Sequence, residues 1–185
     1  ISEQALSYVE QAQQASEYGF FTISPPKASF ELRFQHALSL QAMAEVRLYR
    51  DDTETAKQLY EEADKRLSAL LEDQPNNFEL LKAAGANAFW LGNIALGNRQ
   101  FEVSRAEFKH YVDLSKQLVS AYPDNLEALL ELSYAYSSLG GIEYKTFKWD
   151  EALTHFRHSI NLKKQYLDIE PHNIHLHSYT ADTLS

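Results

Sequence analysis

Apolar residues recur along this chain at helical spacing, and the stretches that carry them recur every 48 residues. From Asp124 to Lys145, the residues Leu126, Leu129, Leu130, Tyr136 and Leu139 make one broad apolar face, which predicts a helix. From Trp149 to Ile169, the residues Trp149, Leu153, Phe156, Ile160 and Leu167 stand at helical intervals, which predicts a second helix with that stripe turned inward. One period earlier the same slots fill in the same way. Met43-Ala44, Leu91-Gly92 and Leu139-Gly140 each set a large residue before a small one. Tyr60, Phe108 and Phe156 share an aromatic slot, with Ala56, Ser104 and Ala152 one turn before them, and Leu70, Leu118 and Tyr166 match near the end of each unit. Close helix–helix packing requires such alternation of bulky and small side chains. Gly140-Gly141 lies inside a predicted helix, where each glycine costs about 1 kcal/mol. A close approach of the next helix would explain the pair.

The polar positions punctuate these units. Pro75, Pro123 and Pro171 lie 48 residues apart, and Asn77, Asn125 and Asn173 follow each by two. A large apolar residue comes next, at Phe78, Leu126 and Ile174; Ser29-Phe30 fills the same two slots one period upstream, with Pro26 nearby. Asn and Ser are favoured helix N-caps because their side-chain oxygens accept an orphan backbone N–H of the first turn. Proline just ahead stops the preceding helix. The mark reads as helix end, turn, helix start, and its fixed recurrence predicts stacked helix pairs.

The expected architecture is all-α: a right-handed α-solenoid of antiparallel helix pairs with about eight helices in one domain over 1–185. Complete units are expected over 27–75, 76–123 and 124–171. Glu3 to Phe21 reads as a second helix without its first, giving a half unit over 1–26. Asn173 opens a first helix without its second, giving another over 172–185. Half units leave apolar faces uncovered, which predicts self-association or makeshift caps. Phe20 to Ser29 is the proline-rich linker, where a change of superhelical angle is expected. The chain opens on Ile1, which reads as a piece of something longer.

Composition narrows the chemistry. Gly at 6 and Pro at 5 favour long regular elements. A net charge of −9 argues against nucleic acid as a direct partner, because phosphate contacts need clustered Lys and Arg. With no cysteine, disulfides, thiolate catalysis and cysteine-ligated zinc are excluded. No apolar run approaches the roughly 18 residues of a membrane span, and no signal peptide is visible. Cytoplasm and periplasm are both open.

The slots resemble the tetratricopeptide repeat, which sets a Leu-Gly pair in its first helix and Ala-x-x-x-Phe in its second. Leu91-Gly92 and Leu139-Gly140 match the first, and Ala152 with Phe156 matches the second. Met43-Ala44, Ala56 with Tyr60, and Ser104 with Phe108 are variants. The usual repeat is about 34 residues, so a 48-residue unit has longer helices. The resemblance covers about Ser29 to Leu184. It is closest to long-helix arrays with a D-P-x-N-like boundary, common in large bacterial multidomain proteins beside signalling modules.

That resemblance implies a concave groove lined by the first helices, taking a protein or peptide segment. The groove residues would be Leu38, Gln41, Glu45 and Leu48 on the first such helix. Ala86, Phe89, Asn93 and Leu96 would follow on the second, and Tyr134, Ser137, Gly141 and Tyr144 on the third. Phe89 and Tyr134 have two readings: partner anchors, or packing between neighbouring helices. A carboxylate clamp of the chaperone-binding kind is not expected, since Gln41 and Phe89 stand where bases are required and Glu45 would repel an anion.

His155 with His158, and His172 with His175, have spacings that could share a metal ion. No carboxylate stands at a metal-site spacing beside them, and surface histidines are the simpler reading, so no metal and no cofactor are expected. Most of the 11 tyrosines are expected on core slots. No nucleophile elbow, phosphate loop or H-E-x-x-H occurs, so the chain is expected to be no enzyme. An interaction scaffold leads. A sensory or regulatory module of a larger protein, and self-assembly through the end helices, are the alternatives.

Overall fold

The computed structural model describes residues 29–171, and within them the chain forms six α-helices. These are α1 (Phe30–Tyr49), α2 (Thr53–Asp73), α3 (Phe78–Gly97), α4 (Phe101–Ala121), α5 (Leu126–Lys145) and α6 (Trp149–Ile169). No strand occurs among the described residues. The half units expected over 1–26 and 172–185 lie outside them.

The expected N-caps form. The Ser29 hydroxyl accepts the N–H of Leu32, and the Asn77 and Asn125 side-chain oxygens accept those of Leu80 and Ala128. Glu31, Glu79 and Glu127 stand in the same first turns, where negative charge complements the helix dipole. α2, α4 and α6 end two residues before the three prolines, with the cap N–H of Gln74, Tyr122 and Glu170 bonded one turn back.

The turn inside each pair follows one plan that lacks its usual glycine. Asp51, Arg99 and Phe147 adopt positive φ, at 59°, 59° and 64°. Their N–H groups bond to the carbonyls of Leu48, Leu96 and Tyr144, and those of Asp52, Gln100 and Lys148 reach Arg47, Ala95 and Glu143. This is a Schellman cap, which closes a helix and turns the chain back. A left-handed L-residue costs about 1 kcal/mol, which the paired cap hydrogen bonds offset.

The chain divides into two compact units, Ile1–Pro75 and Asn76–Ser185. In the first, α1 packs on α2 through Phe34, Ala37, Leu40 and Ala44 against Ala56, Tyr60, Ala63, Leu67 and Leu70. Arg33 and Asp73 pair across the helices at 2.9 Å. In the second, α3 packs on α4, α4 on α5 and α5 on α6, and α3 also reaches α5. The shared core joins Ala88, Phe108, Tyr111 and Val112 to Leu132, Ala135, Leu139 and Ile142. Tyr122 fastens the two ends of its pair, donating to the Asn76 carbonyl and meeting the Phe78 ring edge-on.

Small-against-large packing has a direct geometric form here. A Cβ on Gly92 would lie 2.6 Å from the Phe108 ring, one on Gly140 2.8 Å from Phe156, and one on Gly85 3.0 Å from Tyr111. Gly141 is different: nothing lies within 4 Å of its missing Cβ, so no close approach explains it. The expected α6 stripe also needs correction. Trp149 and Leu153 are exposed, and the buried face runs through Ala152, Ser159 and Lys163. The small residues mark where α5 comes close, and the largest apolar ones fall beside that line. Of the described tyrosines, only Tyr60 and Tyr111 are buried, so most do not occupy the core.

Candidate partner-binding surface

In the unit ending at Pro75, Leu38 and Gln41 are half-buried on α1, as is Leu48, and Glu45 is exposed beside them. Partial burial still raises the Glu45 carboxyl above the ordinary carboxylate range. Burial, then the Glu45 charge, push the Tyr60 phenol well above its usual value.

In the unit beginning at Asn76, the expected groove residues separate into two sets. Phe89 turns toward α4, its ring packed against Phe108, Tyr111 and its neighbour Trp90. Ser137 turns toward α6, sharing a 2.8 Å hydrogen bond with Ser159. Both occupy the slot of Gln41, and in this unit that slot faces the partner helix of its own pair.

Of the remaining residues, Leu96 is half-buried against the shared core and the others are partly or fully exposed. Asn93 donates to the Phe89 carbonyl one turn back at 2.8 Å. With Leu96, Gly97, Arg99, Phe101 and Lys145 it lines an open depression of about 520 Å³. α3 and its turn supply one wall, the start of α4 the floor, and the end of α5 the other wall. Ala86 is exposed on α3, and Gly141 of α5 has nothing within 4 Å of its missing Cβ. Tyr134 is partly exposed on α5, with the Lys163 ammonium 5.7 Å above its ring. Lys163 is itself only 5% exposed, and burial lowers its pKa.

An ionic cluster sets the end of α5. Arg105 on α4 reaches Glu143 at 2.9 Å and donates to the Thr146 hydroxyl at 2.8 Å, and it also pairs with Glu102. Glu143 is almost fully buried, and Lys148 stands 3.8 Å from its other oxygen. Tyr144 and Lys145 follow Glu143 directly, so the cluster fixes where they project. Tyr144 meets Trp149 edge-on at 5.1 Å, and Phe147 meets the same indole at 5.5 Å. All three rings are exposed.

Sequence reading missed Arg99, Phe101, Phe147 and Trp149 as surface chemistry.

His155 and His158 both stack on Tyr136, at 5.9 and 5.0 Å between ring centres, with the Lys116 ammonium 5.7 Å from the same ring. Burial lowers the His155 pKa. Among the described residues no group of three His, Asp or Glu is placed to hold a metal ion, and His172, His175 and His177 lie outside them. No described helix is long and apolar enough to cross a membrane.

No protein-family model matches the chain, and no curated protein matches it. Solved structures align over most of its length. "MamA 41-end from Desulfovibrio magneticus RS-1" is 15% identical with a TM-score of 0.30, covering 89% of this chain and 97% of that one. "MamA RS-1 ArsTM double mutant" is 12% identical with a TM-score of 0.26, covering 89% and 97%. "MamA MSR-1 C2" is 13% identical with a TM-score of 0.25, covering 89% and 99%. With scores this low, the architecture rests on the helix contacts above.

Proposed function

We propose that this chain is a non-enzymatic interaction scaffold, a long-helix tetratricopeptide-like array with a 48-residue repeat and a right-handed superhelix. It binds a protein or peptide segment on the face that α3 and α5 present. The observation that carries this reading is the open depression beside Asn93 and Leu96, walled by two helices whose positions are held by packing and by the Arg105–Glu143 cluster. A surface built on rigid helices loses little ordering entropy when a partner arrives. Phe89 serves this surface from behind, by packing α3 on α4.

The test is a selection of short displayed peptides on the immobilised chain. Enriched peptides are expected to bind Asn93→Arg and Tyr134→Ala roughly fivefold or more weakly, a loss of about 1 kcal/mol, with helicity unchanged by circular dichroism. Equal affinity for both variants would contradict the assignment.

A further inference from the structure

Four of the ten described Lys and Arg side chains of the unit beginning at Asn76 pair with carboxylates. Lys82 pairs with Glu79 and Glu127, Arg105 with Glu102 and Glu143, Lys109 with Asp113, and Lys148 with Glu143. Arg99, Lys116, Lys145, Arg157, Lys163 and Lys164 form no such pair among the described residues, and of these Arg99 and Lys145 share one place. Both line the open depression. Neither has a carboxylate partner among the described residues, although the chain carries 26 acidic against 17 basic side chains. In so acidic a protein, two unpaired positive charges flanking one hollow leave a place for carboxylates from outside, beside the apolar walls of Leu96 and Phe101.

The helix end that carries Lys145 continues into the aromatic cluster. Phe147 is 75% exposed at a φ of 64°. A bulky residue there costs about 1 kcal/mol, and among the described residues its ring is met only by the edge of Trp149. Tyr144 and Trp149 are 58% and 52% exposed. Large amphipathic rings on a fixed backbone are the residues that most often anchor a partner. The Arg105–Glu143–Thr146 contacts hold this helix end in place before any partner arrives.

We propose that this turn edge, from Arg99 and Phe101 across Lys145 to Tyr144, Phe147 and Trp149, docks an internal acidic peptide segment with interspersed large apolar side chains. Its side-chain carboxylates meet Arg99 and Lys145, and its apolar side chains rest on Phe101 and the three rings. The proposal rests on the peptide-binding reading above and names the chemistry of the partner. Charge complementarity selects the partner and speeds its approach, and the rings supply most of the affinity.

The test uses three pools of short peptides, acetylated and amidated at their ends, with the same Leu, Phe and Tyr content. The remaining positions are Asp or Glu in one pool, Asn or Gln in the second, and Lys or Arg in the third. The immobilised chain is expected to retain the acidic pool roughly tenfold over the neutral one, and to release it as salt rises. Arg99→Glu with Lys145→Glu is expected to abolish that preference, both side chains being at the surface. Lys145→Gln alone should reduce it, which keeps the test open if the double variant fails to fold. Phe147→Gly should lower retention roughly threefold while raising the unfolding midpoint. Equal retention of acidic and neutral pools, or a preference that survives charge reversal, would overturn the proposal. A neutral pool that is retained, and lost with Asn93→Arg, would overturn it while leaving the peptide-binding reading intact. Retention of no pool would overturn both.

Discussion

In the pair α3–α4, Phe108 lies over Gly92 and is 2% exposed; in the pair α5–α6, Phe156 lies over Gly140 in the same slot and stays half-buried. The difference extends along both helices. Phe108, Tyr111, Val112, Leu114 and Leu118 of α4 are buried, whereas α6 buries only Ala152, Ser159 and Lys163. Ser115 and Lys163 are equivalent, as are Tyr111 and Ser159. α4 lies between α3 and α5 and must be apolar on two faces; among the described helices α6 meets α5 alone. One backbone plan therefore carries a sealed pair and a polar pair, and the exposed rings Tyr144, Phe147 and Trp149 stand at the turn of the polar one.

The largest expected effect lies in the glycine slot. Gly92→Ala should lower unfolding free energy by about 2 kcal/mol in urea titrations, because Phe108 has nowhere to move. Gly140→Ala should lower it by about 1 kcal/mol or less, since Phe156 can swing outward and alanine is the better helix former. Equal losses at the two sites would mean that the interiors do not differ as described. A smaller effect is expected at Lys163, whose charge lies buried with the Tyr134 ring above it and no carboxylate paired to it among the described residues. Lys163→Met should raise stability by about 1 kcal/mol, because a buried cation without a carboxylate carries an uncompensated desolvation penalty. A thermal midpoint that falls would show that the cation–ring contact outweighs that penalty.

How much of this was legible in the sequence follows from which interactions are local. The caps at Ser29, Asn77 and Asn125 were readable, because a capping oxygen satisfies an N–H three residues on, with no help from the rest of the fold. The outer helix bounds of each pair followed from these caps and the prolines. The left-handed turns at Asp51, Arg99 and Phe147 were not readable: none is glycine, and all three side chains are exposed, so neither residue type nor an apolar slot marks the position. The α6 face was misread because size was taken as the sign of burial. Ala152 and Ser159 are buried since α5 comes close there, and only the three-dimensional packing shows it. The neighbours Gly140 and Gly141 make the same point, one pressed against a ring and the other facing open space. On the surface, helical phase grouped Asn93 and Leu96 on one helix face and Tyr144 on another; the structure leaves Tyr144 exposed and the other two half-buried. Helical phase could not show that Phe89 and Ser137 lean across their own pairs, nor that Arg99, Phe101 and Lys145 converge from three different elements.

Native-state hydrogen exchange of the amides in α4 and α6 probes the contrast between the two pairs most directly. Central amides of α4 are expected to exchange only through global unfolding of their unit, and those of α6 roughly tenfold faster or more, through separation of α6 from α5. Protection in α6 equal to that in α4 would contradict the account of a sealed pair beside an open one.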